Sequence, residues 1–268
     1  MIDYISKFGL EFNPFLKNSS EIIVETSEFR EAVFRLNYLL STKGFGLLTG
    51  SAGKGKTTVV RNWVSGLNPS LYKVIYSSFS TLTAQEFYRN LVNELGLTPS
   101  HRKHENMQMI QSEITRLSQE KKKTPVIIID EANYINSAIL NDFKILFNFE
   151  MDSKDRAVVL LCGLPMINNV LRLSAHEPFR QRIIMNYNLE GLSKDESRQY
   201  ILEKLKGAGC TQPVFEDNAL EALINAADGI PRMLNKLCNA SLLAAFSNNS
   251  NIVSAENVMT AVNDIELG

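Results

Sequence analysis

Nine residues, GSAGKGKTT from Gly50 to Thr58, stand between an apolar run, FGLLT, and the segment VVRNWV. Gly50, Ser51, Ala52, Gly53, Lys54, Gly55, Lys56, Thr57 and Thr58 carry the spacing G-x-x-x-x-G-K-[ST]. Glycines let the chain turn tightly, so that successive backbone N–H groups aim inward at phosphate oxygens. A helix starting directly behind adds its free N–H groups and its dipole. In such a loop the Lys56 amine reaches the β- and γ-phosphates and the Thr57 hydroxyl reaches Mg²⁺. The spacing predicts ATP as the ligand, with Mg²⁺.

A second stretch, VIIIDEA at 126–132, ends an apolar run in two carboxylates. Open α/β sheets bind ligands at the carboxyl ends of their strands. Asp130 is therefore a candidate to hold Mg²⁺, together with Thr57. Glu131 is a candidate general base that polarises the attacking water. The pair points to hydrolysis by the chain's own glutamate, and no acceptor pocket of a kinase is recognisable.

Elements that could position these residues follow from periodicity. EFREAVFRLNYLL reads as a helix with Ser27 as its N-cap, and FGLLTG as a strand. TTVVRNWVSGL reads as a helix and KVIYSSF as a strand. LTAQEFYRNLVNELG reads as a helix capped by Thr81 or Thr83. PSHRKHEN reads as a loop, followed by a helix from Asn106. TPVIIIDEA, DRAVVLLCG and RIIMNYNLE read as strands, with helices at INSAILNDFKILFNFE and PMINNVLRL between them. This alternation implies a parallel sheet flanked by helices.

Beyond about residue 190 the pattern turns all-helical, with Asp217 and Ser254 as N-caps. The chain divides into an N-terminal arm at 1–26, an α/β core at 27–190 and a small helical lid at 191–268.

The 268 residues carry a formal net charge of −1, which does not advertise a nucleic-acid partner. A local basic patch stays open, because net charge says nothing about distribution. Cys162, Cys210 and Cys238 show no ligand spacing and read as reduced thiols. No run is long enough for a membrane span and the N-terminus lacks signal-peptide features, so a cytoplasmic protein without direct membrane insertion is expected. His101, His104 and His176 read as surface or loop residues. Glu113, Arg116 and Glu120 read as a solvated helix face.

Several local runs resemble an AAA+ ATPase: FGLEFNPF at 8–15, the glycine-rich loop, VIIIDEA, FNFE at 147–150, LLCGLP at 160–165, FRQRI at 179–183 and DGIPRMLNKLC at 228–238. More narrowly they resemble the ExeA-like branch, which is similar to the transposition ATPases TniB, MuB and TnsC. The resemblance implies a P-loop core followed by a helical lid. It makes Arg232 the lid arginine that reaches the γ-phosphate. It makes Arg182, or second to it Arg180, a finger supplied to a neighbouring subunit. It sets Phe12, Pro14 and Phe15 near the adenine. It assigns no polar residue to the end of the fourth strand, where Cys162 and Gly163 stand and Leu164 replaces a family glutamine.

A finger acting on a neighbour implies self-association, as a ring or helical filament that ATP cements. The resemblance further implies sequence-non-specific binding to double-stranded DNA, recruitment or stimulation of a transposase, and a role in DNA transposition and recombination. Arg102, Lys103, Lys121, Lys122 and Lys123 are the candidate DNA contacts. The alternatives are a secretion-associated ATPase of ExeA type and a nucleotide-gated scaffold with little turnover. ExeA-type proteins usually continue into transmembrane and peptidoglycan-binding regions, which these residues do not include.

Overall fold

A computed structural model describes residues 4–78, 82–151 and 153–266. By contact the chain forms two compact units. One comprises Glu31–Ala52 and Lys56–Leu189; the other comprises Met1–Arg30, Gly53–Gly55 and Glu190–Gly268.

The first unit is built on five strands: β1 (Gly44–Gly50), β2 (Tyr72–Ser77), β3 (Thr124–Ile129), β4 (Val158–Gly163) and β5 (Ile183–Leu189). They lie in the order β2-β3-β4-β1-β5, and every pairing is parallel. The β-branched and aliphatic residues of β3 and β4 are buried along nearly their whole length, as strands covered on both faces require. α1 (Ser27–Thr42), α2 (Lys56–Ser65), α3 (Ala84–Glu94), α4 (Lys103–Gln119), α5 (Ser137–Leu146), α6 (Ile167–Leu171) and α7 (Glu177–Arg180) connect and flank the strands. Phe45, Phe87, Phe143, Phe147 and Phe179 anchor the core of this unit, with ring centroids 4.9–6.3 Å apart.

The second unit holds four lid helices, α8 (Lys194–Gly207), α9 (Asp217–Ala227), α10 (Pro231–Ser247) and α11 (Ala255–Glu266). The expected architecture, a parallel sheet flanked by helices and followed by an all-helical lid, is the observed one. Phe8, Leu10 and Phe15 of the arm are buried in the apolar cluster of these lid helices.

Local chemistry explains the helix starts. Thr83 and Glu86 form a capping box at α3, while Thr81 lies outside the described residues. At α1 the cap is Thr26, whose hydroxyl accepts from the Phe29 amide; Ser27 is the first helical residue and donates to Glu196 instead. Asp217 likewise is already helical, with Glu216 at the N-cap and no side-chain cap bond. α4 begins at Lys103 rather than Asn106, because buried Asn106 turns its carboxamide back onto the Ser100 amide and carbonyl.

Two polar readings fail at one residue each. His101 and His104 are exposed, but His176 is buried, 2% exposed. Arg116 and Glu120 are exposed, but Glu113 is buried and accepts from Arg116 Nε and Nη2 at 2.7 Å each.

Candidate nucleotide site

The loop grows from β1, buried along all seven residues. Gly50 packs tightly on β5, where a Cβ would stand 3.0 Å from the Leu189 carbonyl oxygen. Gly55 takes φ +94° and borders open space, a cradle that a side chain would fill. α2 then starts at Lys56, so its free N–H groups open directly onto the loop. The Lys56 ammonium folds back over its own loop and donates to the carbonyls of Gly50 at 2.6 Å and Ser51 at 3.1 Å. Thr57, the next residue, is exposed.

Asp130 follows β3 and is 8% exposed. Two donors fix it: the Tyr76 hydroxyl on Oδ2 at 2.7 Å and the Glu131 amide on Oδ1 at 2.9 Å. Glu131 takes a left-handed conformation, φ 52° and ψ 36°, which is uncommon for a residue with a side chain. This bend ends the strand and leaves Glu131 exposed at its tip. A single helical turn, Ala132–Tyr134, comes next. From it Asn133 accepts the Leu164 amide on Oδ1 at 2.9 Å, tying the turn to the end of β4.

The Cys162 thiol reports how these charges meet. Burial pushes its pKa well up, the Asp130 charge pushes it further, and the Lys56 charge opposes both. Cys162 thus lies within electrostatic reach of the loop lysine and the strand-end aspartate. It is itself fully buried and held as the inert thiol.

These groups fit a magnesium nucleotide. Mg²⁺ keeps several waters and binds through one or two carboxylates plus substrate phosphates, so it needs no all-protein cage. Among the described residues no group of three or more His, Cys, Asp or Glu forms one. Thr57 and Asp130 are the residues that would hold the ion.

In the second unit the loop residue Gly53 meets the start of α10. Its carbonyl accepts from the Arg232 amide at 3.3 Å, and a Cβ on Gly53 would come within 2.9 Å of both Ile230 and Arg232. The Arg232 side chain is exposed. Lys54 donates to the Glu190 carbonyl. Glu28 accepts the amides of Glu190 and Gly191 at 2.6 and 2.8 Å, and the Leu192 amide bonds the Gly229 carbonyl at 2.8 Å. Pro14 and Phe15 are buried, with the Pro14 carbonyl accepting from Lys204 Nζ at 2.9 Å. Phe12 keeps partial exposure.

The two candidate fingers differ in placement. Arg182 donates to the carbonyls of Lys144 at 3.0 Å and Phe147 at 3.1 Å, and its guanidinium lies 5.3 Å from the Phe45 ring centroid. It is thus built into its own unit, at the end of α5. Arg180 is exposed at the end of α7.

Among the candidate DNA contacts, Lys103 pairs with Asp142 at 2.5 Å, Arg102 with Glu105 at 3.3 Å, and Lys123 donates to the Pro69 carbonyl at 2.9 Å. Lys121 and Lys122 are exposed. Sequence reading missed Tyr76 and Asn133, both of which act across strands.

A phosphate loop behind an interior strand of a parallel sheet, with an acidic pair at the end of a strand two places away, defines a P-loop ATPase. Residues 38–171 match the AAA domain family, and the chain belongs to it. The chain is similar to general secretion pathway protein A of Aeromonas hydrophila, 30% identical over 269 residues that take in 98% of this chain and 48% of that protein. It therefore spans about half the length of that relative. Its structure is similar to the Aeropyrum pernix ORC2 protein in ADPNP–ADP complexes, with a TM-score of 0.68, 20% identity, and coverage of 94% of this chain and 71% of that one. It is also similar to the Aeropyrum pernix ORC1 protein in complex with DNA, with a TM-score of 0.66, 17% identity, and coverage of 94% and 68%. Both structural likenesses establish a shared fold. Among the described residues no helix is long and apolar enough to cross a membrane.

Proposed function

We propose that this chain is a Mg²⁺-dependent ATP-hydrolysing switch module of the kind carried by general secretion pathway protein A. The observation that carries the proposal is the sheet order, which sets the loop after β1, with Lys56 folded over it, and the Asp130–Glu131 pair after β3 on either side of the end of β4. Backbone N–H groups of Gly50–Thr58 and the Lys56 ammonium bind the phosphates. Mg²⁺, held by Thr57 and Asp130, supplies charge neutralisation when bound. Glu131, turned out by its left-handed backbone, accepts a proton from the attacking water. Arg232 serves as the lid arginine and Phe12 as the adenine contact. Arg180, being exposed, is the finger offered to a second copy, while Arg182 is structural. ATP then favours self-association by linkage, and hydrolysis releases it.

ATPase assays on the wild type, Lys56→Ala and Glu131→Gln test this reading. Lys56→Ala is expected to lose ATP uptake. Glu131→Gln is expected to keep uptake and lose turnover by at least about 100-fold. Wild-type protein that fails to hydrolyse ATP at any concentration refutes it.

The relative in a secretion pathway favours the secretion reading over transposition, since its identity extends along nearly the whole chain. Non-specific binding to double-stranded DNA in the service of a transposase is the second reading. Its support is the motif resemblance and the fold shared with a protein solved on DNA. Against it, Arg102, Lys103 and Lys123 are already engaged with groups of their own chain. Titrating DNA with a non-hydrolysable ATP analogue decides: salt-sensitive binding supports the second reading, and none at low salt removes it.

A further inference from the structure

α8 departs from its buried pattern at one apolar residue. Ile201 and Leu205 are buried, as a helix packed on the lid core requires, but Leu202 is 48% exposed. A lone exposed leucine is ordinary. This one lines a groove of about 560 Å³ formed by α8, the segment 210–215 and the first turn of α9. Leu205, Val214, Phe215 and Leu220 give the groove its apolar lining. Its volume falls among ligand clefts, which run from about 300 to 1,000 Å³.

The 210–215 wall is fixed by the backbone. The Cys210 amide donates to the Leu205 carbonyl at 3.1 Å, and the Val214 carbonyl accepts from the Val253 amide at 2.8 Å. The Glu216 amide then donates to the Val253 carbonyl at 3.0 Å. The groove therefore stands formed without a partner, which spares the cost of ordering it on binding.

Two cations share the exposed face of α8 with Leu202. Arg198 and Lys206 both line the groove, four residues before and four after it. Along the helix axis they are about 12 Å apart. The Lys206 ammonium is exposed and has no hydrogen bond or ion pair among the described residues. Arg198 pairs with Asp217 at 3.1 Å, but that carboxylate is almost wholly exposed, and such a surface pair yields readily to a competitor.

We infer that this groove receives an extended segment of another protein, in which one large apolar side chain lies between two carboxylates. The apolar side chain covers Leu202 and the groove lining, and the carboxylates meet Arg198 and Lys206. Acids four positions apart on an extended chain span about 13 Å, which matches the two cations. A central apolar anchor within a charged rim supplies affinity from the first and choice of partner from the second. The inference concerns the second unit alone and stands apart from the ATP reading.

Fluorescently labelled peptides GESLSEG, GESFSEG and GESWSEG are to be titrated against the full chain by polarisation. At least one is expected to bind with a Kd of about 100 μM or tighter. Its affinity should fall about tenfold in Leu202→Glu and several-fold in Lys206→Glu, or when both peptide glutamates become glutamine. Lys206→Glu should regain affinity for one of the two peptides in which a single glutamate becomes lysine. The inference is overturned if none of the three binds the wild type at about 1 mM. Binding that ignores both substitutions, or equal binding of a peptide with lysine in both flanking positions, overturns it as well. A wild-type dimer that Leu202→Glu dissociates puts a second copy in the groove and excludes the other protein. A measurement on the wild type covers variants that fail to fold: in a nitrogen-15 spectrum the peptide should shift the amides of Leu202, Lys206, Val214 and Leu220. Shifts confined to other residues overturn the assignment.

Discussion

The Tyr76 hydroxyl on β2 donates to Asp130 Oδ2 at 2.7 Å, so a neighbouring strand orients the carboxylate that would face the metal. The parallel register sets Tyr76 opposite Ile128, and the length of the phenol carries its hydroxyl two residues further along β3. Partial burial, followed by the bond to Asp130, pushes the Tyr76 pKa up, so the group remains a donor throughout the neutral range. Outer partners that hold a ligand in place typically matter about tenfold or more for metal affinity. Tyr76→Phe is expected to raise the Mg²⁺ concentration for half-maximal ATP hydrolysis about tenfold. Folding stability should change by about 1 kcal/mol, because a single hydrogen bond is lost and no cavity is made. A Mg²⁺ titration of ATPase rate, paired with a urea melt, checks both.

Gly163→Ala tests the contact beneath Asn133. The added methyl would meet Asn133 Oδ1 at 2.8 Å, the Asn133 amide nitrogen at 3.0 Å and the Ala132 amide nitrogen at 3.3 Å. Two of these are backbone atoms of the turn after Glu131, and they cannot swing aside. The turn must shift away from β4, at a cost of about 1–3 kcal/mol. Hydrolysis should fall with it, since the same turn aims Glu131. Thermal unfolding and kcat are the readouts; a variant with wild-type stability and rate would show that the turn is not held against β4.

Much of this architecture was legible from spacing alone. The apolar runs at β1, β3 and β4 and the loop after β1 follow from local pattern, because fully buried parallel strands and glycine-rich turns leave local marks. That Lys56 opens a helix and that Asp130 and Glu131 follow a strand is legible for the same reason. Tyr76 and Asn133 were not, since each acts through a contact set by strand order rather than by spacing. Asp142 stands 39 residues from Lys103, so nothing local announced that this charge was already paired. The Ser27 cap failed by one residue: Thr26 and Ser27 are both capping types, and Glu196, far along the chain, draws Ser27 away.

Glu196 makes the second unit sensitive to acid. Burial works to raise its pKa, but bonds from the Ser27 hydroxyl and amide and from Ser193 outweigh it and hold the pKa at about 2. The folded value lies below the unfolded one, near 4.5. The stabilisation is therefore complete above about pH 5 and is lost as pH falls from there toward 2. Solvent screening of this partly exposed group limits it to about 1 kcal/mol. Urea melts at pH 7 and pH 3 should show the full Glu196→Gln destabilisation at the higher pH and less than half of it at the lower.

Arg180 and Arg182 are separated by two positions in sequence and by their surroundings. Truncating Arg182 removes two charge-assisted bonds to the last carbonyls of α5 and the contact with Phe45. Arg182→Ala should therefore cost about 2–4 kcal/mol of stability in an isolated subunit, whatever the nucleotide. Exposed Arg180 has no such role, so Arg180→Ala should melt within a degree or two of the wild type while losing most of its hydrolysis. If its guanidinium acts on a neighbour, mixing restores the lost activity. Arg180→Ala keeps an intact site but lacks the finger; Glu131→Gln keeps the finger but has a dead site. Each is inactive alone, and a mixture lets the second complete the site of the first. Recovered ATPase rate on mixing, rising with protein concentration, assigns Arg180 to the neighbouring subunit; a mixture as inactive as its parts removes it from that role.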